Sequence, residues 1–207
     1  MDVAVLVPVK AFTEAKQRLS AVLTPADRIR LAMSMAEGVV RASAPHRVFV
    51  VCDDAGVRDW AEALGATALW TAELGLNGAV DDGVTAVSRA GFEHVIVTHA
   101  DLPLPVNLPE VARRDTITLV PDRRRDGTNV MSFPTSAPIP ASYGANSFER
   151  HLEHASTHAP RTVEIRIDAE LSIDIDTPSD LTHPILRKVL PTWLPTIQAN
   201  RFTQRDR

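Results

Sequence analysis

Val3-Ala-Val-Leu-Val-Pro-Val9, followed at once by Lys10, is an almost unbroken apolar run. A strand with one wet face alternates apolar and polar residues, whereas a parallel strand covered on both faces stays apolar throughout. Three more stretches read the same way: Arg47-Val-Phe-Val-Val-Cys52, His94-Val-Ile-Val-Thr98 and Thr116-Ile-Thr-Leu-Val120. Amphipathic helices separate them. Thr24, Pro25 and Asp27 supply an N-cap, an N1 proline and an acidic first turn. The helix that follows runs through Ile29, Leu31, Met33, Met35 and Val39. A second spans Val57 to Leu64 and stops at Gly65; a third runs from about Ala79 to Ala90 and stops at Gly91. Strand, helix, strand in repetition predicts right-handed βαβ units wound into an α/β sheet with helices on both faces. Ligands on such sheets bind beyond the carboxyl ends of the strands.

The rest of the composition narrows the function. A chain of 207 residues fits one domain with a sizeable core. Its net charge of -4 gives no electrostatic case for nucleic acid or an anionic membrane as partner. Val3 to Val9 is far short of the roughly 20 residues of a spanning helix and has no signal-peptide flanks. The lone Cys52, set in an apolar run, reads as a buried thiol in a reducing compartment, so a cytoplasmic protein is expected. Residues 1–183 carry the pattern of the domain, and 184–207 form a C-terminal extension with Pro184, Pro191 and Pro195. The extension is expected to pack on a second subunit of a homo-oligomer or to stay partly disordered, with the Trp193 region packed and fraying after Gln198.

The strand ends are chemically loaded. The first strand runs into Lys10, Lys16 and Arg18, three cations within nine residues. At that position they suit a triphosphate clamp as well as a solvated loop does. Neither a P-loop nor a G-x-G-x-x-G follows the strand. Thr98-His-Ala-Asp101-Leu-Pro103 places a carboxylate at the end of another central strand, a natural Mg²⁺ ligand. Ile173-Asp174-Ile-Asp176-Thr-Pro178 offers two more carboxylates on one face of an extended segment, with a cap for a helix near Pro178 as the lesser reading of Asp176. Arg123 to Arg125 read as a solvated loop, and Gly127-Thr128-Asn129 after them as an oxyanion-binding combination. Tyr143-Gly144-Ala-Asn-Ser147 opens a helix with Phe148, Leu152, Ala155 and Ala159 on its apolar face. Asn146 is the expected N-cap and Glu149 the N3 residue; the free amides there, with Gly144 and the Ser147 hydroxyl, suit an anion. His151, His154 and His158 of this helix read as a polar outer face in preference to a metal site.

In order along residues 3 to 181, these pieces resemble the guanylyltransferases of coenzyme F420 biosynthesis, the CofC/FbiD family. The matching stretches are Val7-Pro-Val-Lys10, Ala15-Lys-Gln-Arg-Leu19, Gly75-Leu-Asn77, Ala100-Asp-Leu-Pro103, Pro121-Asp-Arg123, Gly127-Thr-Asn129, Tyr143-Gly144, Ser147-Phe148 with His151, and Asp174-Ile-Asp-Thr-Pro178. The resemblance implies a three-layer α/β sandwich around a mostly parallel sheet, like that of the nucleotide-diphospho-sugar transferases. It implies transfer of GMP from GTP to phosphoenolpyruvate, or to 2-phospho-L-lactate or 3-phosphoglycerate, with Mg²⁺ as cofactor. Lys10, Lys16 and Arg18 would then hold the triphosphate, and Asp101, Asp174 and Asp176 the metal. Thr128, Gly144 and Ser147 would hold the phosphorylated acid, and Asn77 and Gly78 the base. Hand-over of the product to a downstream transferase that uses the deazaflavin precursor Fo is also implied. A non-catalytic nucleotide-binding subunit on the same fold is the alternative from another class; the full set of cations and carboxylates speaks against it.

Overall fold

The computed structural model describes residues 1–71, 74–158 and 161–194. Seven strands form one sheet: β1 (Val3–Pro8), β2 (Arg47–Cys52), β3 (Thr67–Trp70), β4 (His94–Thr98), β5 (Thr116–Pro121), β6 (Thr128–Pro134) and β7 (Thr162–Ile165). The helices are α1 (Pro25–Ala42), α2 (Ala55–Ala63), α3 (Gly75–Arg89) and α4 (Ser147–Ser156). The strand order is β3-β2-β1-β4-β6-β5-β7, and β6 alone runs antiparallel to its neighbours. From β1 the chain builds outward through β2 to β3, then crosses back to place β4 on the other side of β1. That reversal opens a crevice at the carboxyl ends of β1, β2 and β4.

Alternation along β1 explains the three layers. Val3, Val5, Val7 and Val9 face α1 and α2, packing with Val39, Val40, Val57 and Ala61. Ala4 and Leu6 face the opposite layer, with Val80, Val84 and Val87 of α3 and Phe148 and Ala155 of α4. Both faces of the strand are dry, as its continuous apolar sequence demands. The α1 cap is as expected, with Thr24 Oγ1 accepting the Asp27 N–H at 3.2 Å. Gly65 and Gly91 follow α2 and α3 with positive φ.

Three strands escape the sequence patterns. β3 and β7 are four-residue edges with little apolar signal. β6 is wholly buried yet mixes apolar residues with Thr128, Asn129 and Ser132, each of which finds an internal partner. The segment expected as a loop at Thr128 is therefore the start of an inner strand. α3 starts at Gly75, a full turn before Ala79. At the C-terminal end, Trp193 and Leu194 pack on a third cluster built on Leu31, Met35, Ile173 and Ile175. The Arg30 guanidinium lies 4.4 Å from the Trp193 ring centroid. Ala159 and the fraying expected after Gln198 lie outside the described residues.

Candidate active site

After β1 the chain makes two single 3-10 turns, Phe12–Glu14 and Gln17–Leu19, with Lys16 between them. Lys16 adopts the left-handed conformation (φ 54°, ψ 38°), a costly one for a residue with a Cβ. Fully buried Leu19 anchors the second turn, and Arg28 of α1 donates to the Ala15 carbonyl. The outcome is an inward-pointing ammonium. Lys16 Nζ donates to Asp101 Oδ2 at 2.7 Å and to Asp176 Oδ1 at 2.9 Å. Burial acts to lower its pKa, but the two carboxylates outweigh that and hold it above the ordinary lysine value. Arg18 stays exposed, its Nη1 4.0 Å from Asp176 Oδ2.

Asp101 and Asp176 meet on the Lys16 ammonium, and Asp174 lies near enough to feel the charge of both. Burial pushes Asp101 up, but Lys16 and then His99 more than compensate, and it sits below the usual carboxylate range. Asp174 has no such relief: burial first, then Asp101, Asp176 and Asp180, push it up to about 7. Among the described residues no three His, Cys, Asp or Glu side chains stand close enough to hold a metal ion as they are. Lys16 occupies the gap between Asp101 and Asp176. The donor set nevertheless suits a hard divalent cation: all oxygens, with Asp101 Oδ1 buried and unpartnered.

Asp176 caps no helix. Instead its own backbone N–H is held by Asp180, which the sequence patterns did not single out. Its Oδ2 accepts from the N–H groups of Asp176 (3.1 Å) and Thr177 (2.7 Å) and from the Thr177 hydroxyl (2.8 Å). Its Oδ1 accepts from Arg123 at 2.6 Å. Arg123 to Arg125 are exposed, as a solvated loop would have them, but Arg123 also ties the loop after β5 to the turn that carries Asp176.

Two adjoining hollows open at the crevice. One, of about 360 Å³, is lined by Val9, Lys10, Cys52, Asp53, Thr71 and Leu76 among others. The second, of about 300 Å³, shares Val9, Lys10 and Leu76 and extends to Lys16, His99 and Asp101. Lys10 is exposed where the two meet. Asn77 and Gly78, expected at the base, line neither hollow. The early start of α3 turns Gly75, Leu76 and Ala79 toward the crevice, and Asn77 toward the Tyr143 loop. There its Oδ1 accepts from Tyr143 N–H (2.7 Å) and its Nδ2 donates to Tyr143 O (3.3 Å). Cys52 is buried, and burial pushes its thiol up.

Gly144 and Ser147 stand at the start of α4, and Thr128 packs against His151 one turn further on. Gly144 is exposed at φ 122°, a backbone region that L side chains avoid. Thr128 and Ser147 are almost wholly buried. The helix end is less free than expected: the amides of Asn146, Ser147 and Phe148 donate to Asp126 Oδ1, Gly144 O and Asp126 O. Asn146 holds the N-cap position in left-handed conformation without a side-chain cap. Asn129 donates its side-chain amide to Leu171 O at 3.0 Å and so supports the chain that leads into Asp174. His151 is no part of a polar outer face; it is fully buried between Ser142 and Thr128. The buried Tyr143 Oη and His99 Nε2 have no partner among the described residues.

A family described as "Guanylyl transferase CofC like" matches residues 3–188, almost the whole described chain. The chain belongs to this family. A phosphoenolpyruvate guanylyltransferase from Rubrobacter xylanophilus is 36% identical over 192 residues, covering 88% of this chain and 93% of the relative. A 2-phospho-L-lactate guanylyltransferase from Methanothermobacter thermautotrophicus is 33% identical, covering 90% and 85%. Among solved structures, a nucleotide-diphospho-sugar transferase from Desulfovibrio desulfuricans superposes with a TM-score of 0.74 at 17% identity, covering 90% of this chain and 89% of that one. That likeness establishes the fold, the three-layer arrangement expected for the CofC-like family. No described helix is long and apolar enough to cross a membrane.

Proposed function

We propose that the chain is a phosphoenolpyruvate guanylyltransferase: it moves GMP from GTP to phosphoenolpyruvate, releasing diphosphate and forming enolpyruvyl-diphospho-guanosine. The observation that carries this reading is the pair of hollows lined by Lys10, Lys16 and Asp101, with Asp176 held on the same Lys16 ammonium. A nucleoside triphosphate laid along the crevice puts its base beside Cys52, Thr71 and Leu76 and its phosphates beside Lys10 and Lys16. Asp101, Asp174 and Asp176 would hold Mg²⁺, whose chemistry there is to neutralise charge on the α-phosphate and on the departing diphosphate.

In the reaction an oxygen of the acceptor phosphate attacks the α-phosphorus as the bond to the diphosphate oxygen breaks. The acceptor is already largely dianionic near neutrality, its second pKa lying at about 6. No proton has to be removed, so the reaction requires no general base. Lys10, Lys16 and Arg18 offset the repulsion between the two anions and hold them in line. Thr128, Gly144 and Ser147 bind the acid.

The acceptor rests on kinship. Relatives from Rubrobacter xylanophilus and Sphaerobacter thermophilus carry the phosphoenolpyruvate name, at 36% and 34% identity. The relative from Methanothermobacter thermautotrophicus supports 2-phospho-L-lactate as the second reading. The product is a reactive mixed anhydride, so passage to the Fo-dependent transferase belongs to this proposal, as does a place in coenzyme F420 biosynthesis. The deciding experiment measures diphosphate release with Mg²⁺, GTP and each of phosphoenolpyruvate, 2-phospho-L-lactate and 3-phosphoglycerate, coupled to that transferase. Release with phosphoenolpyruvate alone is the expected result; silence with all three would remove the proposed activity.

A further inference from the structure

The two hydrogen bonds of His151 fix which ring nitrogen carries its proton. The Ser142 N–H donates to Nε2 at 2.9 Å, so Nε2 presents its lone pair. A neutral imidazole then has its single hydrogen on Nδ1, which lies 3.0 Å from Thr128 Oγ1 and donates to it. Burial, then the electrostatic influence of His154, Arg150 and His99, pushes His151 down to about 4, so the neutral form holds near neutrality. The consequence falls on Thr128. Its oxygen is already accepting, so its own hydrogen must be given away, and no described protein group is recorded as taking it. Leaving such a buried donor unspent is costly unless a ligand or water accepts it.

The neighbouring amides sharpen the point. With Asn146, Ser147 and Phe148 N–H already engaged, an anion at this end of α4 depends heavily on side-chain donors. The opposite tautomer would forbid the contact, because Nδ1 would then take the Thr128 hydrogen.

We propose that His151 is a positioning residue that holds the Thr128 hydroxyl as a donor for an anionic oxygen of the phosphorylated acid. This rests on Thr128 being a contact of that acid. Ser142 N–H sets the tautomer, the tautomer sets the direction of the Thr128 hydrogen, and that direction favours an anion over a hydrogen-bond donor.

The test is a double-mutant cycle read as KM for phosphoenolpyruvate and KM for GTP. Thr128→Val is expected to raise the KM for phosphoenolpyruvate about tenfold, a typical loss for a hydrogen bond to a charged group. His151→Gln keeps an acceptor for the Ser142 N–H but lacks the Nδ1 donor; it should raise the same KM and leave that for GTP within about twofold. Adding His151→Gln to Thr128→Val should cost nothing more. An unchanged KM in Thr128→Val would overturn the assignment of Thr128 and the proposal with it. A raised KM in Thr128→Val beside an unchanged one in His151→Gln, or effects that multiply, would overturn the positioning role alone. Nitrogen-15 NMR of the wild-type ring needs no variant to fold: protonated Nδ1 with bare Nε2 is expected, and protonated Nε2 would overturn the proposal.

Discussion

Lys16 and Asp101 stand 85 residues apart in the chain and meet at 2.7 Å, with Asp176 closing the other side of the same ammonium at 2.9 Å. One cation thus compensates two of the three carboxylates assigned to the metal. Asp101→Ala removes both a proposed metal ligand and a partner of Lys16 at 2.7 Å. Diphosphate release is expected to fall by at least about a hundredfold. Near-normal turnover in that variant would take Asp101 out of the site.

Lys16→Ala separates the internal cation from the external one. Without the ammonium, Asp101, Asp174 and Asp176 repel one another unrelieved. The variant should melt several degrees below the wild type in chelator and recover more than the wild type does on adding Mg²⁺. Equal responses of the two proteins in a thermal-shift titration would show that Lys16 does not screen the metal ligands.

Asp180 is buried and fixes the Asp176–Thr177 turn through four hydrogen bonds, one of them from Arg123. Asp180→Ala leaves the Arg123 guanidinium and two backbone amides without their acceptor. A loss of about 3 kcal/mol is expected from the denaturant midpoint. Arg123→Ala, whose side chain is partly exposed, should cost markedly less. Equal losses would mean that the ion pair and not the turn is the source.

Legibility in the sequence followed burial pattern and strand position. β1, β2, β4 and β5 are dry on both faces and announce themselves as apolar runs. β6 hides because Thr128, Asn129 and Ser132 are buried polar residues satisfied by His151, Leu171 and His94, partners that only the fold supplies. Lys16, Asp101 and Asp176 were findable because they follow strands or sit in an apolar frame. Asp180 and His151 act through backbone amides and one hydroxyl, and no local spacing marks such a role. Asn77 shows the opposite case: its motif position was recognisable, but the helix start that turns its side chain toward Tyr143 was not.

Gly83 of α3 faces the sheet at a distance that admits no side chain. A Cβ there would stand 2.7 Å from Val51 Cγ1 and 2.9 Å from Leu6 Cδ1. Both neighbours are core residues on central strands, so α3 itself would have to move outward. Helix propensity alone favours Ala over Gly by up to about 1 kcal/mol. Overpacking of about 1–3 kcal/mol should nevertheless win, and Gly83→Ala should lower the unfolding free energy. A more stable variant would show that the helix shifts without cost.

The pH dependence of stability should carry the mark of His94. Its ring is buried at the start of β4, with Nε2 2.8 Å from the Ser132 hydroxyl. Burial, opposed in part by Asp115, pushes its pKa down from the ordinary 6.5 to about 4. Between those two values the unfolded chain binds a proton that the folded chain refuses, so unfolding gains free energy as the pH falls. The contribution of neutral His94 is therefore complete above about pH 6.5 and is lost progressively down to about pH 4. Melting temperatures taken across that window should fall more steeply in the wild type than in His94→Gln, which keeps a partner for Ser132 but cannot titrate. Parallel slopes would place the acid sensitivity elsewhere in the molecule, with His151, pushed down to about 4 as well, the first residue to substitute next.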